Sequence, residues 1–539
     1  MKGKLFVLSL AVVALACITI AISPVDFSSA EESGEVRIGN MKYTLDDSTH
    51  TATLVNVQEA VKDLVIPVSV EYNSQTYQVK GIDGNAVSCS GVETVEILAD
   101  LDTIETYAFT STTIKQFKDY DNSKFMAVNG VLYSCNGTSD TILRYPAAKE
   151  DVSFNIDDSV VGIAPAAFSS CTLLKEITFS NCHITEIAFN TFFGCTGLEK
   201  IGFHDGYNHL PDSVIIVGGF AFSNCSSLKD LWTPDSLRII DYDAFVGCGF
   251  TKVHLNYGLT RIMEGAFSDC QNLQAFEGLS DELKGYNTYA NIDGVLYFDG
   301  KASKSLFCFP AGKKIDGGVF TIPDTVDYIE IAAFSGNQSL TTIQINKKIT
   351  EISASCFSHC TSLQKVVLTS KVVSIEASAF SGCKSLTAIE GWDGVTGIEA
   401  LAFTETGFTE LTLPESVRYV GIMAFSNSKL ERITVPDASV EIDSYAFLEC
   451  GSLKEITFLG DRMTLDEASL DVGSADIGVR EVTVNIIRTA SIPSGTVSDE
   501  YTVLNIEKEG EHPYPYENFI GVAICLLALF GVVMVIREV

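Results

Sequence analysis

Hydrophobic residues recur in a fixed order along most of this chain, and the order itself repeats. Each repeat has the form L-x-x-I/V-x-I/L, then a second aliphatic cluster, then A/C-F-x-x-C, as in LQKVVLTSKVVSIEASAFSGCKS at 363–385. The centre of the last motif falls at Val87, Phe109, Phe168, Phe192, Phe222, Phe245, Phe267, Phe334, Phe357, Phe380, Phe403, Phe425 and Phe447. Nine of the twelve intervals between these positions are nearly equal, at about 22–24 residues, which is the period of a repeat protein. The pattern predicts an array of about 13 coils.

Within a unit, period-2 alternation indicates one short strand. In the segment 430–436, Ile433 and Val435 alternate with polar side chains, and Pro436, which has no N–H to donate to a ladder, ends the strand. A unit of this length cannot enclose its own core, so neighbouring coils must share one. We therefore predict a β-rich solenoid over residues 81–485, preceded by a β cap at 31–80, with each Phe buried and each Cys forming a small interior rung.

Two long intervals interrupt the array. They run from Phe109 to Phe168 and from Phe267 to Phe334, and each is more than twice the regular period. Each contains a V/I-N/D-G-V-L-Y segment, at 128–133 and 292–297, followed by Y/F-P-A at 145–147 and 309–311. Two strand-like segments around Gly-containing bends predict β-hairpin inserts at about 125–150 and 286–315.

The repeat motif and the two inserts together resemble the BspA-type (Treponema-type) leucine-rich-repeat surface proteins. The resemblance covers roughly residues 65–484, and the repeat cysteine is replaced at Thr112, Asn337, Thr406 and Ser428. It implies a cell-surface protein that binds host, matrix or neighbouring-cell components. It also implies no shared catalytic residues, and it names no ligand.

The two ends of the chain carry targeting signals. Lys2 and Lys4 precede an uncharged run over residues 5–22 and a small-residue site at 28–30, so residues 1–30 are predicted to be a cleaved signal peptide, with an uncleaved anchor as the alternative. Residues 519–536 lack charge and are long enough for a transmembrane helix. Arg537, in a short tail at 537–539, places that tail in the cytoplasm. Residues 486–518 are then a juxtamembrane stalk, and the rest is an extracellular ectodomain.

Net charge bears on the possible partners, and the cysteine positions bear on disulfide bonding. The formal net charge is -33, so the chain repels a phosphate backbone and nucleic acid is excluded as a partner. Fifteen cysteines in an exported chain favour disulfides in general. Eight of them share one repeat position, where parallel side chains give poor bridging geometry, so free thiols are expected. These eight are Cys171, Cys195, Cys225, Cys248, Cys270, Cys360, Cys383 and Cys450.

No motif for catalysis or metal binding is present. The sequence has no H-E-x-x-H, G-x-S-x-G or P-loop, so we expect no enzyme activity, no metal, no cofactor and no small-molecule substrate. The polar segment at 203–209 is interpreted as a lengthened loop, with a metal or sugar site as the alternative. Asn136, in an N-G-T sequence on the first hairpin bend, is a possible glycosylation site.

A ligand surface is predicted on the strand-bearing face. Side chains alternate across a strand, so Lys200, Asp230, Trp232, Lys252 and His254 should point outward on neighbouring rungs. An exposed Trp with polar neighbours suits a sugar face or a peptide side chain; the alternative places Trp232 in the core. Two functions therefore remain: a membrane-anchored protein that binds an extracellular protein or glycan, and a structural envelope or coat protein without a specific ligand.

Overall fold

The fold is built almost entirely from β-strands. A computed structural model describes residues 35–59, 61–135, 139–180, 182–202, 206–283, 287–436 and 439–459, together with the backbone of three later strands. Within these ranges there is no α-helix and no helix long and apolar enough to cross a membrane. The predicted signal peptide, transmembrane segment and cytoplasmic tail lie outside the described residues, as does most of the predicted stalk.

The first strands form a mixed sheet at the start of the described chain. The first strands are β1 Glu35–Ile38, β2 Met41–Asp46, β3 Thr51–Val57, β4 Asp63–Ile66, β5 Ser69–Tyr72, β6 Gln75–Ile82, β7 Thr94–Ile97 and β8 Thr103–Ile104. Strands β1, β2, β3, β6 and β5 pair in that order, and β6 also pairs with β8 in the first coil. Tyr43, Leu54 and Val79 are buried on one side of this sheet.

From there the chain winds into coils, with two sets of antiparallel strands between them. The next strands are β9 Gln116–Phe117, β10 Tyr120–Asp121, β11 Phe125–Val128, β12 Val131–Cys135, β13 Asp140–Arg144, β14 Ser153–Ile156, β15 Val160–Ile163, β16 Glu176–Phe179, β17 Glu186–Ile187, β18 Lys200–Ile201, β19 Ile216–Val217, β20 Asp230–Trp232, β21 Ile239–Ile240, β22 Lys252–His254, β23 Arg261–Ile262 and β24 Ala275–Glu277.

The remaining elements follow the same plan. They are β25 Thr288–Ile292, β26 Val295–Asp299, β27 Lys304–Cys308, the 3₁₀ turn Asp316–Gly318, β28 Val319–Thr321, β29 Tyr328–Ile329, β30 Thr342–Gln344, β31 Glu351–Ile352, β32 Lys365–Val367, β33 Ser374–Ile375, β34 Ala388–Glu390, β35 Gly397–Ile398, β36 Glu410–Thr412, β37 Tyr419–Val420, β38 Arg432–Val435, β39 Val440–Ile442, β40 Glu455–Phe458, β41 Met463–Leu465, β42 Thr483–Ile486 and β43 Thr502–Asn505.

The coils fall into two compact units. The first contains the described residues up to Gly249 and also Thr260–Ala266; the second contains Phe250–Leu259 and the described residues from Phe267 onward. In both units, strands from successive coils pair in parallel. In the second unit β31, β33, β35, β37, β39 and β41 form one continuous parallel sheet. The predicted β-solenoid is confirmed.

Each regular coil contributes two strands, whereas the sequence predicted one. In the coil at 363–385, β32 comes from the L-x-x-V-x-L motif and pairs with β30 and β34. The second aliphatic cluster forms β33, which pairs with β31 and β35 on another side of the coil. The second strand, Ser374–Ile375, is too short for alternation to reveal it in the sequence.

A tight turn around each Phe explains the A-F-x-x-C motif. In the Phe380 coil, Ser378 and Gly382 both have positive φ, at 57° and 73°. Between these two left-handed residues the chain turns sharply, so Ala379 and Phe380 point into the core and are fully buried. The N–H groups of Ser378, Phe380 and Gly382 donate to carbonyls of the next coil, which joins the turns into a third ladder.

The buried aromatic rings form a stack along each unit. Neighbouring ring centroids lie 5.0–5.8 Å apart, within the range that favours aromatic pairs. In the first unit the rings are Tyr145, Phe168, Phe192, Phe222 and Phe245; in the second they are Phe309, Phe334, Phe357, Phe380, Phe403, Phe425 and Phe447. Two of these rings, Tyr145 and Phe309, belong to the inserts rather than to a repeat.

The repeat cysteines lie beside this stack as free thiols. All cysteines among the described residues are unbridged. The Sγ of Cys383 donates to the carbonyl of Phe357 in the preceding coil at 3.0 Å, and Cys360 donates to Phe334 in the same way at 3.1 Å. Burial raises the pKa of Cys383, which keeps the thiol protonated and able to donate.

Candidate ligand-binding face

The structure places three of the predicted ligand residues on strands of the first unit. Lys200, in β18, is exposed. In β20, Asp230 and Trp232 are partly exposed, while Leu231 between them is fully buried. Trp232 therefore points outward from its strand, as the alternation in the sequence predicts, and does not belong to the core. The other tryptophan of the chain, Trp392, is only 8% exposed.

These three residues do not lie on directly neighbouring rungs, in contrast to the prediction. The N–H of His209 donates to the carbonyl of Ile201 in β18 at 3.0 Å, and His209 forms a parallel bridge with Trp232 in β20. A short returning segment, residues 206–210, therefore lies between the two strands. The sequence gives a sign of this segment, because the interval from Phe192 to Phe222 is longer than the regular period.

The returning segment adds a second aromatic ring to the face. Tyr207 stacks on Trp232 with ring centroids 4.7 Å apart and an interplanar angle of 39°. The Tyr207 side chain is 46% exposed, so the pair remains open to solvent. Tyr207 could not be recognised from the sequence, because its neighbour in space belongs to the following coil and the segment has no strand pattern of its own.

Buried polar contacts hold this pair in place. Asn208 is only 2% exposed. Its side-chain carbonyl accepts the N–H of Ile201 at 2.8 Å, while its own N–H donates to Oδ1 of Asp230 at 2.8 Å. The N–H of Trp232 donates to the Asn208 carbonyl at 2.8 Å. Because the backbone on both sides of the ring pair is hydrogen-bonded, the aromatic surface is pre-organised before any ligand arrives.

One glycine is required for the chain to return so closely. Gly202, directly after β18, has a φ of +51°, and a Cβ there would overlap the carbonyl oxygen of His209. Any side chain at position 202 would push the returning segment away from β18. The contact between Tyr207 and Trp232 therefore depends on Gly202.

The remaining predicted ligand residues lie in the second unit. Lys252 in β22 is exposed, and its Nζ pairs with Oε1 of Glu277 in β24 at 2.7 Å. His254 at the end of β22 is partly exposed, and Val253 between these two residues is buried. The central side chain of β22 is therefore buried and the two flanking side chains point outward, as in β20.

Similar cross-coil ion pairs recur on or directly before the strands of successive coils. Lys175 pairs with Glu199 at 3.3 Å in the first unit, and Lys365 pairs with Glu390 at 2.7 Å in the second. The charged side chains of these pairs are 39–58% exposed, so each contributes well under about 1 kcal/mol to stability. Their effect is to give the face an ordered pattern of alternating charge.

The remaining predictions concern metal binding and glycosylation. No group of three or more metal-binding side chains exists within the part of the chain that the structure describes. Residues 203–205, at the start of the polar segment, and the possible glycosylation site Asn136 lie outside the described residues.

Comparison with known proteins gives a family match over more than half of the chain. Residues 68–137, 206–291, 317–427 and 392–471 match the BspA type leucine rich repeat region, in six copies. No curated protein matches the chain.

Several solved structures resemble it. A leucine rich cell surface protein from Faecalibacterium prausnitzii is 23% identical, with 85% of this chain and 100% of that chain covered and a TM-score of 0.46. The pneumococcal vaccine antigen PcpA is 18% identical, with 81% and 89% covered and a TM-score of 0.36. A leucine-rich repeat protein from Bacteroides ovatus is 21% identical, with 78% and 94% covered and a TM-score of 0.25.

Proposed function

Because the chain belongs to the BspA-type leucine-rich-repeat family, we propose that it is a cell-surface recognition protein that binds an extracellular protein or glycan. The observation that carries this proposal is the solvent-open stack of Tyr207 on Trp232, at 4.7 Å between ring centroids. Tyr and Trp are enriched at interfaces, because each has an apolar ring and one polar atom. Here Tyr207 is exposed, Trp232 is partly exposed, and the two rings contact each other.

The surroundings of the ring pair suit a polar partner with one apolar face. Lys200 and Asp230 lie on the strands next to the pair and provide a donor and an acceptor. A sugar ring has C–H groups on one face and hydroxyls at its rim, and an aromatic surface with polar neighbours matches both features. In the second unit, Lys252 and His254 lie on a strand with the same outward alternation, and we propose them as ligand contacts of that unit.

Localisation follows from the two ends of the chain. An N-terminal signal peptide would export the ectodomain, and a helix over residues 519–536 would anchor it with the C-terminus in the cytoplasm. Deleting residues 519–539 should then release the protein into the medium. If the truncated chain stays with the cells after a high-salt wash, the anchor lies elsewhere.

The binding proposal is tested by screening the full-length chain, in a mild detergent, against glycan and extracellular-matrix arrays. Trp232→Ala and Tyr207→Ala should each reduce the strongest saturable signal by about tenfold or more, because either change removes half of the stacked surface. Tyr72→Ala serves as the matched control, since Tyr72 is 37% exposed and lies on β5 of the first sheet rather than on β18 or β20. Melting temperatures of all three variants should stay close to that of the wild type.

Two outcomes would contradict the proposal. Binding that is unchanged in Trp232→Ala and Tyr207→Ala would place the ligand on another surface. The absence of any saturable ligand, together with lateral self-association of the chain, would favour the structural coat protein instead.

A further inference from the structure

A buried arginine lies where the first insert returns to the solenoid. Arg144, the last residue of β13, is opposite Leu132 of β12 and is only 6% exposed. Its side chain reaches the turn of the next coil, where Nη1 donates to the carbonyl of Ala166 at 2.6 Å and Nη2 donates to the carbonyl of Ser169 at 3.3 Å. A guanidinium this deeply buried is rare without a carboxylate beside it.

Among the described residues, no carboxylate hydrogen-bonds to Arg144, whose side-chain bonds go to two backbone carbonyls. Its Nε is buried and has no hydrogen-bond partner. Burial lowers the pKa of the Arg144 guanidinium, and only the neighbouring Cys171 and Cys195 oppose that decrease. Two carbonyl dipoles offset only part of the cost of removing a cation from water, and an unpaired buried charge strongly destabilises a fold.

Arg144 also lines a cavity. The cavity has a volume of about 50 Å³, and its walls include Tyr107, Thr110, Leu132, Arg144 and Ala166. That volume exceeds the ~10–15 Å³ needed to hold one water molecule. It is too small for a sugar ring or a nucleotide, because small-molecule sites span roughly several hundred Å³. Glu105 lines the cavity too, and its side chain is exposed.

We propose that this cavity binds one small monovalent anion, a chloride ion or a single carboxylate group, against Arg144. The anion would accept from the Nε that has no protein partner and would neutralise the buried charge. The carboxylate of Glu105 disfavours a second negative charge, so a divalent anion such as sulfate should bind poorly. This site is separate from the proposed recognition face and does not depend on it.

The second insert provides an internal comparison. Cys308 occupies the same position in the second hairpin, opposite Leu296 as Arg144 is opposite Leu132. A neutral thiol needs no counter-ion. The anion site is therefore a property of the first insert alone and not a requirement of the hairpin.

Chloride NMR linewidths measured on the full-length chain test the proposal directly. Wild-type protein should broaden the chloride signal, and acetate should remove most of this excess width by competition, whereas sulfate at equal ionic strength should not. Arg144→Met should lose the excess width. Arg238→Met is the matched control, because Arg238 also donates to backbone carbonyls, of Asp235 and Leu237, and its loss changes the net charge equally.

A crystal of wild-type protein soaked in bromide gives a second readout that does not depend on a variant that folds. An anomalous peak within hydrogen-bond distance of Arg144 would support the site. An ordered water in place of bromide, or equal chloride broadening by wild type and Arg144→Met, would overturn it.

Discussion

The two inserts are built on one plan but differ in the residues that meet the core. Each contains three antiparallel strands, β11–β13 in the first insert and β25–β27 in the second, rather than the predicted two-stranded hairpin. The last two strands pair with a register shift at the same point, between Leu132 and Tyr133 in the first and between Leu296 and Tyr297 in the second. Each last strand then pairs in parallel with the next coil. Finally, each insert ends in an aromatic residue that stacks 5.1 Å from the first Phe of that coil.

The differences lie in polarity. The first insert ends in Arg144 and Tyr145, whereas the second ends in Cys308 and Phe309. The hydroxyl of Tyr145 is buried without a hydrogen-bond partner, and burial raises the pKa of Tyr145. The two inserts thus share their strand register and their stacked aromatic ring, and these two features are what join each insert to its coil. The guanidinium and the hydroxyl of the first insert are not needed for this joining.

The largest expected effect comes from removing an aromatic ring. Phe380→Ala, in the most regular coils, should destabilise the protein by ~3–5 kcal/mol through lost burial and a cavity, and Phe309→Ala should cost a similar amount if the insert is an integral rung. Urea denaturation followed by circular dichroism measures both. Tyr257→Ala, at an exposed position, is the control and should leave the midpoint unchanged. A cost for Phe309→Ala below ~1 kcal/mol would separate the insert from the stack.

A smaller effect should follow from exchanging the hydroxyl between the two inserts. Phe309→Tyr would bury a hydroxyl in an apolar stack and should cost ~1–3 kcal/mol. Tyr145→Phe removes a hydroxyl that has no partner and should be neutral or stabilising. The same denaturation experiment compares them. Similar losses of stability in the two variants would mean that Tyr145 makes a hydrogen bond after all.

The smallest effect concerns an ion pair between one residue before the second insert and one residue after it. Asp269 precedes that insert, and its Oδ2 lies 3.4 Å from Nδ1 of His359 beyond it. The corresponding positions around the first insert, in the turns of Phe109 and Phe192, are Ser111 and Gly194, which do not titrate near neutral pH. A pH-dependent contribution is therefore expected from the second insert alone.

The sign of this contribution follows from the pKa of His359, which the hydrogen bond to Asp269 raises above its usual value while burial opposes the increase. A raised pKa in the folded state stabilises the protein at pH values below about 6.5, the unfolded value, and the gain is lost as the pH rises through the folded pKa. His359→Gln should reduce stability by at most ~1 kcal/mol at acidic pH and by less at alkaline pH. Thermal melts across this pH range measure it. A larger loss at alkaline pH would contradict the assignment.

Much of this architecture could be predicted from the sequence, because the length of the repeat and the spacing of its buried residues are visible there. Phe380 and its counterparts recur at a fixed interval, and only a shared core explains such spacing. Outward placement of Asp230 and Trp232 followed from alternation about Leu231, which is buried as expected. These features depend on residues close together in the sequence.

Features that depend on contacts between distant residues were not predictable in the same way. The repeat positions found in the sequence omitted Tyr145 and Phe309, because neither is followed three residues later by the Cys of the motif or by one of its replacements. The spacing contained a signal nevertheless, since Tyr145 precedes Phe168 by one regular repeat period. The stack of Tyr207 on Trp232 had no such signal, because it requires the chain to return past Gly202 between two strands.

We conclude that each insert is an integral part of the unit that contains it, so that the strand pairing and the aromatic stack continue through the insert. Hydrogen exchange at two backbone amides tests it most directly, since the N–H of Tyr145 donates to Ala167 at 2.8 Å and the N–H of Phe309 donates to Ala333 at 2.7 Å. If the inserts are integral rungs, both amides should be protected as strongly as the amide of Phe380, which donates to Ala402 at 2.9 Å. Exchange of either amide at the rate of an exposed loop would contradict the claim.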